Sequence, residues 1–310
     1  MSSPIAQSVR DRLLNRMRET GEEYQVLLTR FALERLLYRL TQISEGEGFV
    51  LKGAFTFLVW ERKLGRQTRD LDLLGSGPPG AEHLQEVFLR ACQADVPSDG
   101  IQFDKESLET RPIRDEAEYD GLRVKLSAYI GSAHLRLQID VGFGDAVVPA
   151  PEHRTFPGLL DFPEPGIKTY RPETVVAEKL HGMVRYGRAN TRMKDFYDIW
   201  RISNGMELES EALISAIQAT FRRRETEVPS ETPVALTESF VEEPGKVRQW
   251  NAFISQIRDE QIGGEKSQEG KLNLETVIPQ LREFILPVLR AAEKEAGSPS
   301  TWTEGGPWEK

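Results

Sequence analysis

The spacing of hydrophobic positions changes along the chain and separates a mixed first half from a helical second half. Residues 6–43 place apolar side chains at intervals of three to four, which predicts amphipathic helical structure. Residues 122–130 and 135–141 alternate apolar and polar side chains, which predicts two strands, and the GSA between them suits a hairpin turn. Further helices are predicted over residues 81–94, 171–187, 192–203, 247–259 and 272–295.

A β-containing first half followed by a helical second half is typical of an α+β fold. We expect N-terminal helices and a sheet domain over residues 1–165, and a helical C-terminal domain over residues 166–296. The closing segment, residues 297–310, is expected to be a disordered tail.

Composition restricts the kind of protein this is. Of 310 residues, 39% are hydrophobic and 29% are charged, which is a globular composition. No apolar run approaches the ~20 residues of a membrane helix, and the polar N-terminus has no apolar signal-peptide core. One cysteine excludes an internal disulfide and a zinc site built on several thiolates. We therefore expect a cytoplasmic protein without a membrane partner.

The net charge of −9 disfavours a broad nucleic-acid-binding surface but leaves a local basic groove open. Basic side chains do concentrate in the second half of the chain. An RNA-facing strip and an ordinary solvated helix surface explain them equally well. The side chains concerned are Arg185, Arg188, Arg192, Lys194, Arg222, Arg223 and Arg224.

The segment TRDLDLLG, residues 68–75, places two acids on one predicted strand. Asp70 and Asp72 share a face because alternate residues of a strand point the same way, and their mutual repulsion must be offset. Asp140 lies on the polar face of a later strand, and Gly53 precedes a predicted helix. Carboxylate oxygens suit Mg²⁺, which often binds a few protein carboxylates together with substrate phosphates. The set therefore indicates a metal–nucleotide site.

Two simpler interpretations of these acids stay open. The carboxylates can lie on a solvated sheet face, or they can pair with basic side chains without any metal. Arg62, Lys63, Arg66 and Arg69 precede the two acids. Arg69 alternates with Asp70 and should point away from it, so Arg66 is the better candidate partner for an acid or a phosphate.

Two long segments resemble one protein family. LKGAFTFLVWERKLGRQTRDLDLLG is similar to the first motif of the AbiEii/AbiGii toxin family, a branch of the DNA polymerase β-like nucleotidyltransferase superfamily. RPETVVAEKLHGMVRYGRANTRMKDFYDIW resembles the next hallmark, an A-E-K helix followed by R-x-K/R-D-x-Y-D. The resemblance covers roughly residues 25–290. It implies a nucleotidyltransferase-type mixed β-sheet domain with flanking helices, followed by a helical C-terminal domain.

The resemblance also implies roles for the residues at matching positions. Asp70 and Asp72 would bind Mg²⁺, and Asp140 would be the third carboxylate, completing the metal site or acting as base toward the acceptor hydroxyl. Lys179 would contact the triphosphate, and Asp195 would be the second essential acid. The implied nucleotide-binding residues are Lys52, Gly53, Ala54, Arg66, Lys179 and Asp198.

Without the resemblance, the residues of the second motif have ordinary explanations. Lys179 is read as a surface lysine of an amphipathic helix, although it lies near the apolar border and could bury its stem. Asp195 and Asp198 share a helix face, and an acid near a helix start is favoured by the helix dipole.

Ala54 departs from the family pattern. The family often has Gly or Ser at this position, where a hydroxyl group or bare backbone meets phosphate. The backbone N–H of Ala54 can still donate, but a side-chain contact is lost, and we do not expect Thr56 to replace it directly.

The function implied is Mg²⁺-dependent transfer of NMP from an NTP to an acceptor, RNA or tRNA, by the toxin of a toxin–antitoxin or phage-defence system. A cognate antitoxin is the expected protein partner. Two alternatives stay open. The same site could phosphorylate a protein or a nucleotide, or the chain could be a non-catalytic regulatory binding module.

Overall fold

The computed structural model describes residues 3–113, 121–260, 272–294 and 300–309. The chain divides into two compact units. Unit 1 comprises Met1–Gly144, Glu152–Thr169 and Asp259–Gly264, and unit 2 comprises Asp145–Pro151, Tyr170–Arg258 and Glu265–Lys310.

Unit 1 contains a mixed sheet, which has seven strands among the described residues. The spatial order is β3-β4-β5-β2-β1-β7-β6, in which β2 pairs with β5 and β1 with β7 in parallel, and the other neighbours are antiparallel. The strands are β1 (Phe49–Lys52), β2 (Asp70–Gly75), β3 (Ile101–Pro112), β4 (Leu122–Ile130), β5 (Ala133–Phe143), β6 (Glu152–Thr155) and β7 (Gly166–Thr169).

The predicted hairpin is confirmed as β4 and β5, which turn at Gly131 and Ser132. Their apolar alternation puts one face of the sheet into the core and leaves the other polar. The buried members of the two strands are Leu122, Val124, Leu126, Ala128, Ile130, Leu135, Leu137, Ile139, Val141 and Phe143.

Helices cover the apolar face of this sheet. The helical region predicted over residues 6–43 consists of α1 (Pro4–Thr20) and α2 (Tyr24–Leu40). Gly21 separates them because it ends α1 in the left-handed conformation, with φ of 75°. Two further helices follow, the six-residue α3 (Thr56–Glu61) and α4 (Ala81–Gln93). α1, α2 and α4 contact β4, β5 and β3, respectively.

Unit 2 is mainly helical, as the period of three to four in the second half predicts. α5 packs on α6 and α7, and α10 packs on α6 and α7. The helices are α5 (Pro172–Tyr186), α6 (Met193–Gly205), α7 (Ser210–Arg223), α8 (Glu238–Val241), α9 (Pro244–Glu260) and α10 (Leu274–Lys294). The predicted α+β class, with a mixed sheet and a helical C-terminal region, is therefore confirmed.

Two segments differ from the predicted organisation. β7 pairs with β1 in the sheet of unit 1, so the sheet extends past the boundary predicted after residue 165. Residues 300–309 are ordered rather than disordered. Within unit 2, β8 (Leu208–Glu209) pairs with β9 (Thr301–Trp302), and Trp302 is buried.

The order of this last segment comes from aromatic packing. The ring of Trp302 packs on Phe284 and Trp308, and its indole N–H donates to the carbonyl of Ser203. Large rings bury much apolar area, which outweighs the entropy lost by a short polar segment. Among the described residues, no helix is long and apolar enough to cross a membrane.

Candidate active site

The two acids of TRDLDLLG lie on β2 as predicted. Asp70 and Asp72 are half-buried on one face, while Leu71 and Leu73 are buried on the other. The strand is held between β1 and β5, so neither carboxylate lies at a free sheet edge. The sheet therefore presents two acidic side chains in neighbouring positions on its polar face.

Four charged residues form a row across this face. Asp72 of β2 lies opposite Lys52 of β1 and opposite Asp140 of β5, and Asp140 lies opposite Arg123 of β4. Residues directly opposite each other in a sheet share a face and have neighbouring side chains. The sheet thus brings the three predicted acids together and flanks them with one cation on each side.

Arg123 and Asp140 form a bidentate ion pair. Nε of Arg123 donates to Oδ1 of Asp140 at 2.8 Å, and Nη2 donates to Oδ2 at 2.7 Å. The side chains are 37% and 18% exposed, so water screens the pair only partly. A basic partner for an acid was predicted among residues 62–69, whereas this one comes from β4.

The hairpin contained the signal for this pair. The two-residue turn at Gly131 and Ser132 pairs residue 130 with residue 133, and each further step away from the turn moves one residue along both strands. Residue 123 is therefore paired with residue 140. Counting the register outward from the turn would have found Arg123 from the sequence.

Gly53 makes the close approach that shapes this site. It has a φ of 72°, and a Cβ built on it would lie 2.7 Å from Cγ of Asp72. Only glycine provides both the positive φ and the space for the carboxylate. Ala54, the next residue, is buried, and the Thr56 hydroxyl donates to the carbonyl of Gly53 at 2.7 Å. Thr56 is therefore engaged with the backbone.

The donor set fits Mg²⁺ through Asp70 and Asp72. Magnesium commonly takes one or two protein carboxylates and completes its octahedron with phosphate oxygens and water. Because Gly53 has no side chain, the carboxylate of Asp72 fits beside it on the polar face of the sheet. Within the described residues, no three His, Cys, Asp or Glu side chains form a group that could hold a metal ion. Asp140 is paired with Arg123, and its role as a third ligand stays a prediction.

The basic segment before β2 is only partly directed to the acids. Arg69 is exposed and lies 3.8 Å from a carboxylate oxygen of Glu23, which precedes α2. This position agrees with its predicted orientation away from Asp70. Arg66 is half-buried in the loop between α3 and β2, and its predicted contact with phosphate stays a prediction.

The acids and the lysine of the second motif meet within unit 2. Nζ of Lys179, on α5, lies 2.8 Å from Oδ1 of Asp195 and 2.8 Å from Oδ2 of Asp198, both on α6. The side chains of Asp195 and Asp198 are 8% and 1% exposed. A buried charge needs a partner, so Lys179 is a structural neutraliser of two acids whatever else it binds.

A second polar cluster lies beside this one and was not predicted. Glu178, next to Lys179, accepts a hydrogen bond from the Tyr170 hydroxyl at 3.0 Å and lies 3.8 Å from Arg224. Arg224 also pairs with Asp145 at 3.2 Å and donates to Nδ1 of His181. Glu178 thus contacts Tyr170 and Arg224, whereas Lys179 contacts Asp195 and Asp198.

His181 is held neutral within this cluster. Burial, together with the positive charge of Arg224, lowers the pKa of His181 to about 4. Because Arg224 can only donate, Nδ1 must accept, so the proton of the neutral ring is on Nε2. Nε2 lies 2.9 Å from the Thr226 hydroxyl, which itself donates to the carbonyl of Arg224.

The comparison with protein families decides the assignment. A family model described as nucleotidyl transferase AbiEii toxin, type IV toxin–antitoxin system, matches residues 35–269. The chain belongs to the AbiEii family. It is therefore a nucleotidyltransferase of a toxin family, and the family implies a cognate antitoxin. Both predicted motifs lie within the matched residues.

Solved structures show a weaker similarity. The chain is 15% identical to JHP933 from Helicobacter pylori, with 88% of this chain and 94% of that chain covered and a TM-score of 0.45. A "putative nucleotidyltransferase" from H. pylori is also 15% identical, with 88% and 96% covered and a TM-score of 0.46. No curated protein matches the chain. The assignment to AbiEii rests on the family match.

Proposed function

We propose that this AbiEii-family chain transfers NMP from an NTP to a hydroxyl group of an RNA acceptor, with tRNA the expected acceptor, and that this transfer is its toxic activity. The observation that carries the proposal is the Asp70–Asp72 pair on one face of β2, packed against Gly53. The family match supports the reaction class. The RNA acceptor rests on the resemblance to family members.

In this proposal Asp70 and Asp72 hold Mg²⁺, which when bound neutralises triphosphate charge and activates the attacking hydroxyl. Lys52, opposite Asp72 in the sheet, adds a fixed cation beside the acids and favours an anionic ligand there. Lys179 is proposed to contact the triphosphate, as the family resemblance implies, and Asp195 and Asp198 keep its ammonium group in place.

The transfer step needs no reactant other than the NTP and the acceptor hydroxyl group. The acceptor oxygen forms a bond to the α-phosphorus, the bond from that phosphorus to the bridging oxygen breaks, and pyrophosphate leaves. The acceptor proton passes to Oδ1 of Asp140, which accepts one hydrogen bond from Nε of Arg123 and keeps a lone pair. Arg123 acts as a positioning residue that fixes the orientation of this base. Catalysis then comes from positioning and charge neutralisation.

We place the reaction in the cytoplasm, where both NTP and RNA are available, with the cognate antitoxin relieving its effect on the cell. The direct test of the proposed transfer is to incubate the purified protein with total RNA and each NTP, labelled at the α- or the γ-phosphate. Label from the α position on RNA is expected. Label from the γ position on protein or nucleotide would instead establish a phosphotransferase.

The control variants separate catalysis from regulation. Asp72→Asn should abolish transfer and toxicity, whereas Asp11→Asn, an exposed acid on α1, should leave both unchanged. If Asp72→Asn remained fully toxic and bound Mg²⁺–NTP normally, the enzymatic proposal would be rejected in favour of a regulatory binding module.

A further inference from the structure

The polar face of the β4–β5 hairpin continues beyond the row of charged residues toward the turn. From Asp140 to His134 the strand advances six residues, which at ~3.3 Å per residue is about 20 Å. Every second residue of both strands along this length shares the face of Asp140. We call four of these residues the hairpin strip: Lys125, Tyr129, His134 and Arg136.

Two members of the hairpin strip are exposed cations. Neither Lys125 nor Arg136 forms an ion pair with any residue that the structure describes. Glu109, the acid opposite Lys125 on β3, is already paired with Arg111 at 2.6 Å. The positive charges of the strip therefore remain available to an anionic ligand.

The other two members form a ring stack at the surface. The rings of Tyr129 and His134 lie 4.9 Å apart between centroids, at an interplanar angle of 17°. Tyr129 is 36% exposed, and few large hydrophobic side chains are exposed elsewhere in the described residues. Nε2 of His134 lies 3.2 Å from the Ser127 hydroxyl, which steadies the imidazole. A held, exposed ring pair is a surface on which a nucleobase can stack.

There is space beside this stack. His134, Arg136 and Arg69 line an open cleft of about 430 Å³, and its other wall comprises Glu23 and the beginning of α2, at Gln25, Val26 and Thr29. The cleft is large enough for a base that has turned out of its strand. It belongs wholly to unit 1.

We propose that the hairpin strip binds a single-stranded polynucleotide, whose phosphates contact Lys125 and Arg136 and one of whose bases stacks on Tyr129 and His134. The strand ends near Asp140, so that its terminal hydroxyl group reaches the acids of β2. This inference rests on the proposed function, because it names the path of the acceptor. Two cations followed by one exposed ring pair on the same face match phosphates and a stacking base, whereas an acidic peptide need not offer a planar group to the rings.

The charge of the whole protein sharpens this location. With a net charge of −9, the protein as a whole repels a polyanion, so binding should concentrate where basic side chains lie without acidic partners. Each phosphate contact releases counterions, so binding through the strip should weaken steeply with salt.

The test measures binding apart from catalysis. Fluorescence anisotropy of a labelled short single-stranded RNA, with EDTA and without NTP, gives the Kd of the full chain. We expect Tyr129→Ala and Arg136→Gln each to raise the Kd about tenfold, and Tyr129→Phe to preserve it. Arg136→Gln should also reduce the slope of log Kd against log salt by about one phosphate contact.

Matched controls lie on β6, which three strands separate from β5 in the same sheet. Arg154→Gln matches Arg136→Gln, and His153→Ala removes an aromatic ring from another exposed position; both should leave RNA binding unchanged. Thermal unfolding of every variant verifies the fold. Unchanged Kd values for both Tyr129→Ala and Arg136→Gln, in folded protein, would overturn the inference.

Transfer assays distinguish the two proposals. If both hold, Tyr129→Ala raises the KM for RNA and leaves the KM for NTP unchanged, while Asp72→Asn abolishes transfer and leaves RNA binding intact. If wild-type protein transfers no label, although strip variants lose RNA binding, the proposed function fails and the strip is supported. If transfer to RNA is normal in both strip variants, the acceptor path is wrong and the proposed function stands.

Discussion

Arg123 donates two hydrogen bonds to Asp140, 2.8 and 2.7 Å long, and Asp140 lies opposite Asp72 in the sheet. The pair places a fixed guanidinium two strands away from β2. The guanidinium of Arg123 thus supplies positive charge to the acids of this face independently of any metal ion. Asp140 is thereby oriented before any ligand binds, which limits how far it can turn toward β2.

The first prediction concerns this pair. Arg123→Gln and Asp140→Asn should each lower the free energy of unfolding by about 1 kcal/mol, because a partly exposed bidentate ion pair is lost. Combining them should cost less than the sum, since neither single variant retains the interaction. Urea unfolding of the four proteins measures this coupling, and strictly additive losses would show that the two side chains do not stabilise each other.

The second prediction concerns Gly53 and its contact with Asp72. Gly53→Ala should destabilise the protein by more than the ~1–2 kcal/mol of a left-handed non-glycine residue, and should abolish transfer by displacing Asp72. Gly77→Ala is the matched control because Gly77 has a φ of 82° and open space around it. It should cost only the backbone strain and keep full activity. Equal costs and equal activities in the two variants would contradict this explanation.

The third prediction concerns Lys179. Lys179→Met removes the ammonium group that lies 2.8 Å from both buried acids, Asp195 and Asp198, so we expect a loss of about 3–5 kcal/mol in the free energy of unfolding. Adding Asp198→Asn should recover part of this stability, because one of the two buried negative charges is removed. Transfer should not recover with it if Lys179 contacts the triphosphate. Lys294→Met, at an exposed position of α10, is the control and should change neither property.

The fourth prediction concerns pH and His181. The pKa of His181 is lowered to about 4 in the folded protein from 6.5, so between these values the unfolded chain binds more protons. The free energy of unfolding should therefore fall as pH decreases through this window, by about 2 kcal/mol at pH 5.

His181→Gln provides the comparison for this effect, because it removes the titrating ring while keeping a polar side chain. Denaturation at pH 7 and pH 5 should show a smaller pH-dependent loss in this variant than in the wild type. The same loss in both proteins would assign the acid sensitivity to other groups.

Local sequence determined the parts of this protein that depend on backbone geometry alone. Alternation along β2 and β5 decided which side chains face the core, because successive strand residues point to opposite faces. This alternation placed Asp70 and Asp72 on the same face of β2. It also placed Asp140 on the face of β5 that is not occupied by the buried Ile139 and Val141, and it pointed Arg69 away from Asp70. The helical period of the second half predicted the C-terminal helices, and the two motifs indicated the AbiEii family.

Tertiary structure alone decided which of these elements meet. The parallel pairing of β2 with β5 aligns Asp72 with Asp140, although the two residues are far apart in sequence. The same holds for Asp72 against Gly53, for Lys179 between two acids of α6, and for Trp302 on Phe284. Such contacts depend on strand order and on how helices pack, which no local period encodes. The pairing of Arg123 with Asp140 is an intermediate case, because the length of the hairpin turn, which is local, determines which residues of the two strands are paired.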